Sequence, residues 1–242
     1  MINIVIPMAG VGSRFVKAGY KTPKPFIDVL GKPMIMKVLE NLSYPDARYI
    51  LIARKEHMEA KSELVEEIKS KFNVLFIPID KLTEGTASTV LYARKYINND
   101  VPLLIANSDQ LVDINIADYI NECKERKLDG SILTFIDKSR DTKWSFAKID
   151  DNGLVTEVKE KVGISDYATV GIYYFTRGKD FVDSAIDMII ENDRVNGEFY
   201  TCPVYNYTIK NEGCIGIYNI NFKKMHGLGT PDDLNEYMES KA

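Results

Sequence analysis

Residues able to handle phosphate cluster near the start of the chain, in Met8-Ala-Gly-Val-Gly-Ser-Arg-Phe15 and, after a short tether, Thr22-Pro-Lys-Pro25. Gly10 and Gly12 can take positive φ and bring backbone N–H groups against an anion that Cβ atoms would hold off. Arg14, Lys17, Lys21 and Lys24 follow with no carboxylate until Asp28, although the formal net charge is −4. This local cationic patch in an acidic chain suits polyphosphate. Pro23 and Pro25 fix φ on either side of Lys24 and favour an extended tether for its ammonium. A second candidate is Asp109, in Asn107-Ser-Asp-Gln110 directly after the apolar run Pro102–Ala106. Its spacing alone fits a metal-binding carboxylate and a turn or N-cap aspartate equally.

The elements that must position these groups alternate in period. Ile2–Pro7, Tyr49–Ala53, Val74–Ile77 and Pro102–Ala106 are short apolar runs that predict buried strands. Between them, Lys32–Leu42, Lys55–Lys71 and Glu84–Ile97 space apolar residues as helices do. Strand and helix in alternation imply right-handed crossovers and a mostly parallel sheet, with ligands gathered outside the carboxyl ends of the strands. The second half changes character. Ser131–Asp137 and Tyr167–Phe175 read as strands, and Phe146–Asp150 and Leu154–Val158 flank an Asp-Asn-Gly hairpin turn. Helices are expected over Lys179–Glu191, from about Phe199, and from Thr230-Pro-Asp-Asp233, with a late strand over Cys214–Ile220. The hairpin reads as an insertion in one domain spanning 1–242, whose halves are 1–110 and 111–242.

Composition narrows the classes. The 242 residues are 45% hydrophobic and 27% charged, a globular balance. A pI of about 5.4 leaves no excess of basic residues to displace counterions from nucleic acid, so no nucleic-acid partner is expected. The opening run lacks a basic flank and stops too early for a signal peptide or a membrane span, which predicts a cytoplasmic protein with no membrane partner. Cys123, Cys202 and Cys214 are odd in number and lack metal-ligand spacing, and His57 and His226 are the two histidines present. Disulfides, zinc and histidine-based nucleophilic catalysis are therefore not expected.

The glycine loop separates from two common phosphate loops. A dinucleotide fingerprint needs a third glycine where Phe15 stands, and a Walker loop needs Gly-Lys-Ser/Thr where Ser13-Arg14 stands. Strand, Gly-x-Gly-Ser-Arg-Phe, then Pro-Lys-Pro resembles the signature of the sugar-phosphate nucleotidyltransferases, or sugar-nucleotide pyrophosphorylases. The resemblance covers essentially the whole chain. It implies an α/β fold, a three-layer α/β/α sandwich with a mixed, mostly parallel sheet related to the GT-A glycosyltransferases, and an acceptor-binding insertion that carries the hairpin.

The resemblance also implies roles. Ala9, Gly10, Gly12, Ser13 and Arg14 match the loop that binds the triphosphate, and Lys24 matches the lysine at the reacting phosphates. Gly85-Thr86-Ala87 resembles the base-binding turn. Ser108-Asp109 stands at the family's Gly-Asp, whose aspartate holds Mg²⁺. Glu160-Lys161 is similar to the pair that contacts the acceptor sugar and phosphate, Val170-Gly171-Ile172-Tyr173 to the acceptor-pocket strand, and Glu198 to the glutamate beyond it. Two stretches depart from the pattern. No carboxylate stands near Gly227, where many members carry a second metal-binding aspartate, and Phe199-Tyr-Thr-Cys-Pro203 replaces the common Ile-Thr-Asp.

The expected activity is magnesium-dependent transfer of NMP from an NTP to a phosphorylated sugar or polyol-like acceptor, with release of pyrophosphate. Arg14, Lys24 and Asp109 are the catalytic candidates. A GT-A glycosyltransferase using an NDP-sugar and a non-catalytic nucleotide-binding module are the alternatives. An NDP-sugar has no γ-phosphate for Arg14 and Lys24 to hold, so the basic loop favours an NTP. More ordinary readings compete at single positions: a solvated strand end for Glu160-Lys161, a helix start for Glu198, packing for His226, and helix capping for Asp232 and Asp233. Asp80 and Glu84 are weak candidates for accepting a hydrogen bond from a base amine.

Overall fold

Alternate residues of the first strand enter two different cores. Ile2, Ile4, Ile6 and Met8 join one cluster, whereas Val5 joins the other. The next strand repeats the division, with Tyr49, Leu51 and Ala53 on one face and Ile50 and Ile52 on the other. Both faces of the sheet are thus covered, as a period of two with apolar residues on both faces requires. The computed structural model describes residues 1–241.

Nine strands form the main sheet. In chain order they are β1 Ile2–Met8, β2 Ala47–Arg54, β3 Val74–Ile79, β4 Leu103–Ala106, β5 Gly130–Ile136, β6 Ser145–Ile149, β7 Val155–Glu160, β8 Tyr167–Phe175 and β9 Ile215–Ile220. Their spatial order is β7-β6-β8-β4-β1-β2-β3, with β5 pairing β8 and β9 pairing β5. The pairs of β1 with β2, β1 with β4 and β2 with β3 are parallel. Strand β8 runs antiparallel to β4, β5 and β6, which makes the sheet mixed.

Helices Met34–Asn41, Ser62–Lys71, Ile116–Glu125 and Pro231–Lys241 cover one face, and Thr86–Val90, Gly178–Ile190 and Val204–Lys210 cover the other. The α/β/α sandwich is therefore present. The hairpin β6–β7 forms around Asp150, whose carboxylate accepts from the N–H groups of Asn152 and Leu154, with Gly153 at φ 73°. It extends the main sheet through β8, so strands from both halves of the chain share one sheet.

Three local expectations change, and one short ladder has no counterpart in the sequence reading. Lys55–Lys71 is two helices, Lys55–Ala60 and Ser62–Lys71, broken at Lys61; the first buries no residue, and the second turns Val65 and Ile68 into the core. Lys24 is not extended. Lys24–Phe26 is a 3₁₀ turn closed by Phe26 N–H on the Pro23 carbonyl (2.9 Å), and it buries Pro25 and Phe26. No helix starts at Phe199, because the Phe199 N–H donates to the Glu84 carbonyl (2.7 Å) and its carbonyl accepts from Ala87 N–H (2.9 Å). The helix begins at Val204 instead, once those backbone groups are free of outside partners. Finally, Gln110–Val112 pairs with Met225–Gly227 in a ladder too short to leave a periodic signal.

The last helix starts as its residues predict. Asp233 N–H donates to Thr230 Oγ1 at 3.1 Å, and that hydroxyl donates back to the Asp233 carboxylate at 2.6 Å. Thr230→Ala is expected to lower stability by about 1 kcal/mol, and Thr230→Ser to restore most of it. Urea unfolding of the three proteins checks this, and equal midpoints for all of them would remove the cap.

Candidate active site

Parallel strands β1 and β4 end side by side, and the loops that follow them, Ala9–Gly12 and Asn107–Asp109, face each other across a cleft of about 430 Å³. Lys24, Gly85, Thr86, Glu198 and Tyr200 complete its wall. Gly12 has φ 64°, and a Cβ there would lie 3.0 Å from Cβ of Lys24, so the glycine lets the lysine turn pack against the loop. Gly10 does not take positive φ; a Cβ there would meet nothing within 4 Å. Ser13 and Arg14 begin the short helix Ser13–Lys17, are exposed, and do not line the cleft. Arg14 forms no ion pair among the described residues.

The turn at Gly85 is fixed by contact with the segment after Glu198. Gly85 has φ 111°, and a Cβ on it would stand 2.4 Å from the Phe199 carbonyl oxygen. Only glycine fits there. Thr86 Oγ1 accepts from the Thr201 N–H at 3.0 Å, and Thr89 Oγ1 donates to the Gly85 carbonyl at 3.0 Å. Glu84 pairs with Arg194 at 2.8 Å, and neither Glu84 nor Asp80 lines the cleft.

At the cleft floor the Lys24 ammonium donates to Oδ2 of Asp109. Both side chains are largely buried yet open to the cleft, at 18% and 21% exposure. The strand bearing Gly227 lies beside Asp109: Gly227 is in register with Gln110, and Leu228 N–H donates to the Asp109 carbonyl at 2.7 Å. It brings no carboxylate, and His226 binds Asp113 instead (2.7 Å). Among the described residues no three His, Cys, Asp or Glu side chains gather as a metal cage. The donor set nevertheless fits Mg²⁺, which commonly takes one or two carboxylates and fills its shell with water and substrate phosphate. Asp109 already holds a cation, that of Lys24, and a Cβ on Gly229 would lie 3.1 Å from Asp109 Oδ2, so the glycine leaves room there.

A second lobe of about 230 Å³ adjoins the first, and Thr86, Asn107 and Tyr200 border both. Glu160, Ser145, Thr169, Gly171, Tyr173, Trp144 and Cys202 line it. Glu160 is no solvated strand end. It is 8% exposed, accepts from Ser145 Oγ, and burial raises its carboxyl pKa above the usual range. Lys161 has φ 57° and donates to Tyr200 Oη at 2.7 Å; that hydroxyl donates in turn to the exposed Glu198 carboxylate. The bond to Tyr200 raises the Lys161 pKa. Cys202 and Cys123 are buried, and burial pushes both thiols up, that of Cys123 to about 12.

Ala9, Gly10, Gly12, Lys24, Gly85, Thr86, Ser108, Asp109 and Glu198 thus share the larger lobe, and Glu160 and Gly171 the smaller. Lys161 reaches both through Tyr200. Asn107, Trp144, Tyr200 and Thr201 carry no role in the sequence reading, whereas Tyr173 lies in the strand compared there with the acceptor pocket. Tyr200 and Thr201 left a signal, since they lie in the stretch that departs from the family pattern; Asn107 sat unassigned beside Asp109.

A raised pKa means that the fold prefers protonated Glu160. The resulting stability is complete below the ordinary carboxylate pKa of about 4.3 and is lost as pH rises through the raised value. Glu160→Gln removes that titration, so the wild type is expected to lose stability relative to this variant between acid and neutral pH. Urea midpoints across that range check it, and a constant difference would contradict the direction.

Comparison with known proteins follows the same lines. A curated relative, the Dictyostelium discoideum mannose-1-phosphate guanylyltransferase catalytic subunit beta, is 23% identical over 177 residues, covering 72% of this chain and 49% of that protein. The bifunctional protein GlmU of Methanocaldococcus jannaschii is 24% identical over 252 residues, 99% of this chain and 55% of that protein. The chain spans about half the length of these relatives. The crystal structure of a nucleoside-diphosphate-sugar pyrophosphorylase from Vibrio cholerae RC9 superposes with a TM-score of 0.82 at 25% identity, covering 98% of this chain and 99% of that one. The model of the family described as Nucleotidyl transferase matches residues 4–202, from within β1 to Cys202 in the lining of the second lobe, and the chain belongs to that family.

Proposed function

We propose that the chain transfers NMP from an NTP to a phosphorylated sugar or polyol-like acceptor, releasing pyrophosphate and forming an NDP-activated building block. The observation that carries this reading is the pair of adjoining lobes, one facing a glycine loop with a lysine and the other holding buried polar groups, with Lys24 and Asp109 in the first. Two lobes suit two substrates. Family membership and the name of the mannose-1-phosphate guanylyltransferase relative support a nucleotidyl donor and a sugar phosphate acceptor. We place the reaction in the cytoplasm, in the supply of precursors for polysaccharide; no helix among the described residues is long and apolar enough to cross a membrane.

A phosphomonoester is largely anionic near neutral pH, so its oxygen attacks the α-phosphorus without a general base. The new O–P bond forms as the bond to the bridging oxygen breaks, and that oxygen departs with the electron pair on pyrophosphate. The barrier to lower is repulsion between anions, by positioning and charge. The N–H groups of the Gly10–Gly12 loop receive the phosphates, and Lys24 exchanges Asp109 for the α-phosphate. Asp109, so released, would hold Mg²⁺, which neutralises phosphate charge when bound. Lys161, presented by Tyr200, meets the incoming phosphate, while Glu160 with Ser145 accepts from an acceptor hydroxyl. Arg14 stands on the exposed helix next to the loop, where it serves the outer end of the triphosphate.

Pyrophosphate release across a panel of NTPs and sugar phosphates with magnesium tests the reading. Release from no pair, with transfer from an NDP-sugar instead, would overturn it. Lys24→Met is expected to cut turnover by about 100-fold or more with a small effect on unfolding, since water reaches the Asp109 carboxylate it leaves. Asp109→Asn should weaken the response of turnover to magnesium, and a wild-type metal titration would remove Asp109 from the metal site.

A further inference from the structure

The junction between the lobes contains a polar group that neither the sequence motifs nor the mechanism above employs. Asn107 is half-buried and borders both lobes. Its N–H donates to the Gly171 carbonyl at 3.1 Å. Gly171 has φ 90° and lies within the irregular stretch of β8 between Thr169 and Tyr173. A Cβ at Gly171 would stand 2.2 Å from Nδ2 of Asn107 and 2.9 Å from its Cγ. The strand gives up a side chain at this point, and the carboxamide of Asn107 fills the space. That arrangement holds the group in one place at the boundary.

Three neighbouring polar groups, Thr86, Tyr200 and Lys24, are already engaged, whereas Gln110 Nε2 in the second lobe is buried and has no partner among the described residues. Thr86 Oγ1 is bonded to Thr201, Tyr200 Oη to Lys161 and Glu198, and Lys24 to Asp109. The Asn107 carboxamide forms no hydrogen bond with any described residue, so its two N–H donors are available to a ligand. The geometry points to Asn107 as a further catalytic residue, which donates from Nδ2 to a non-bridging oxygen of the phosphoryl group in transfer between the lobes. This rests on the reaction proposed above. A fixed neutral donor stabilises charge that shifts in the transition state and needs no reorganisation. Gly171 is its positioning partner.

Asn107→Ala and Asn107→Asp separate this role from simple packing. Asp is nearly isosteric with Asn, so a packing role ranks it above Ala. A phosphate contact ranks it below, because a donor is replaced by an anion. We expect Asn107→Ala to lower kcat by about 100-fold while KM for the NTP changes by no more than about threefold, and Asn107→Asp to lower kcat further. Binding of non-transferable analogues of the four common NTPs, with methylene between the α- and β-phosphorus, gives a readout without turnover. Asn107→Asp is expected to weaken this binding at least about tenfold, with thermal midpoints near wild type showing that the fold is kept. If Asp equals or exceeds Ala in turnover, or binds the analogue as wild type does, the assignment is overturned. Should wild type release no pyrophosphate from any pair, the transfer reaction fails, and analogue binding by the two variants still decides the contact.

Discussion

The site depends on one backbone junction, where the turn around Gly85 is pressed against Phe199. Phe199 exchanges hydrogen bonds with Glu84 and Ala87, and the absent Cβ of Gly85 allows the two backbones to approach. Thr86 and Thr201 add side-chain bonds across the same seam. Glu198 and Tyr200 flank Phe199, so the seam sets where these two side chains stand relative to the Ala9–Gly12 loop. Neither lobe is independent of the other. Displacing the turn would move Tyr200, and with it the aim of Lys161.

The layers beneath serve the same end. Residues on both faces of β1 and β2 are buried, which holds the ends of β1 and β4 in register and brings the Ala9–Gly12 loop opposite Asn107–Asp109. Antiparallel β8 then closes the sheet beside the second lobe and supplies Gly171 at its irregular stretch. Glycine at positions 12, 85 and 171 admits, respectively, a lysine turn, a backbone and a carboxamide. Three close approaches therefore shape the cleft.

Much of the fold was legible because apolar periodicity is a local property. β1 and β2 read as continuous apolar runs, β8 matches its expected bounds, and the Asp150-Asp-Asn-Gly turn declares its hairpin. What escaped was set by distant partners. Phe199 carries no local mark of its bonds to Glu84 and Ala87, and the Gln110–Val112 ladder is too short to show a period. In the site, Lys24, Asp109 and Glu160 were visible as charged residues at strand ends or in motifs. Tyr200 and Asn107 were harder to see, because a tyrosine hydroxyl and a carboxamide gain meaning only from what surrounds them. Arg14 illustrates the converse, a residue conspicuous in sequence that lies on an exposed helix outside the cleft lining.

The pairing of Lys24 with Asp109 bears on how ionic strength acts at this site. Before nucleotide arrives, these two charges cancel, so the floor of the cleft offers little net attraction to a distant polyanion. In the proposed reaction, binding swaps ionic partners: the ammonium passes to phosphate and the carboxylate to its counter-cation. Each new contact replaces an old one of similar kind, and added salt weakens both sides of the exchange. The salt dependence of nucleotide capture should therefore be shallower than a count of contacting charges implies, with long-range attraction left to the exposed cations Arg14, Lys17 and Lys21 along the rim.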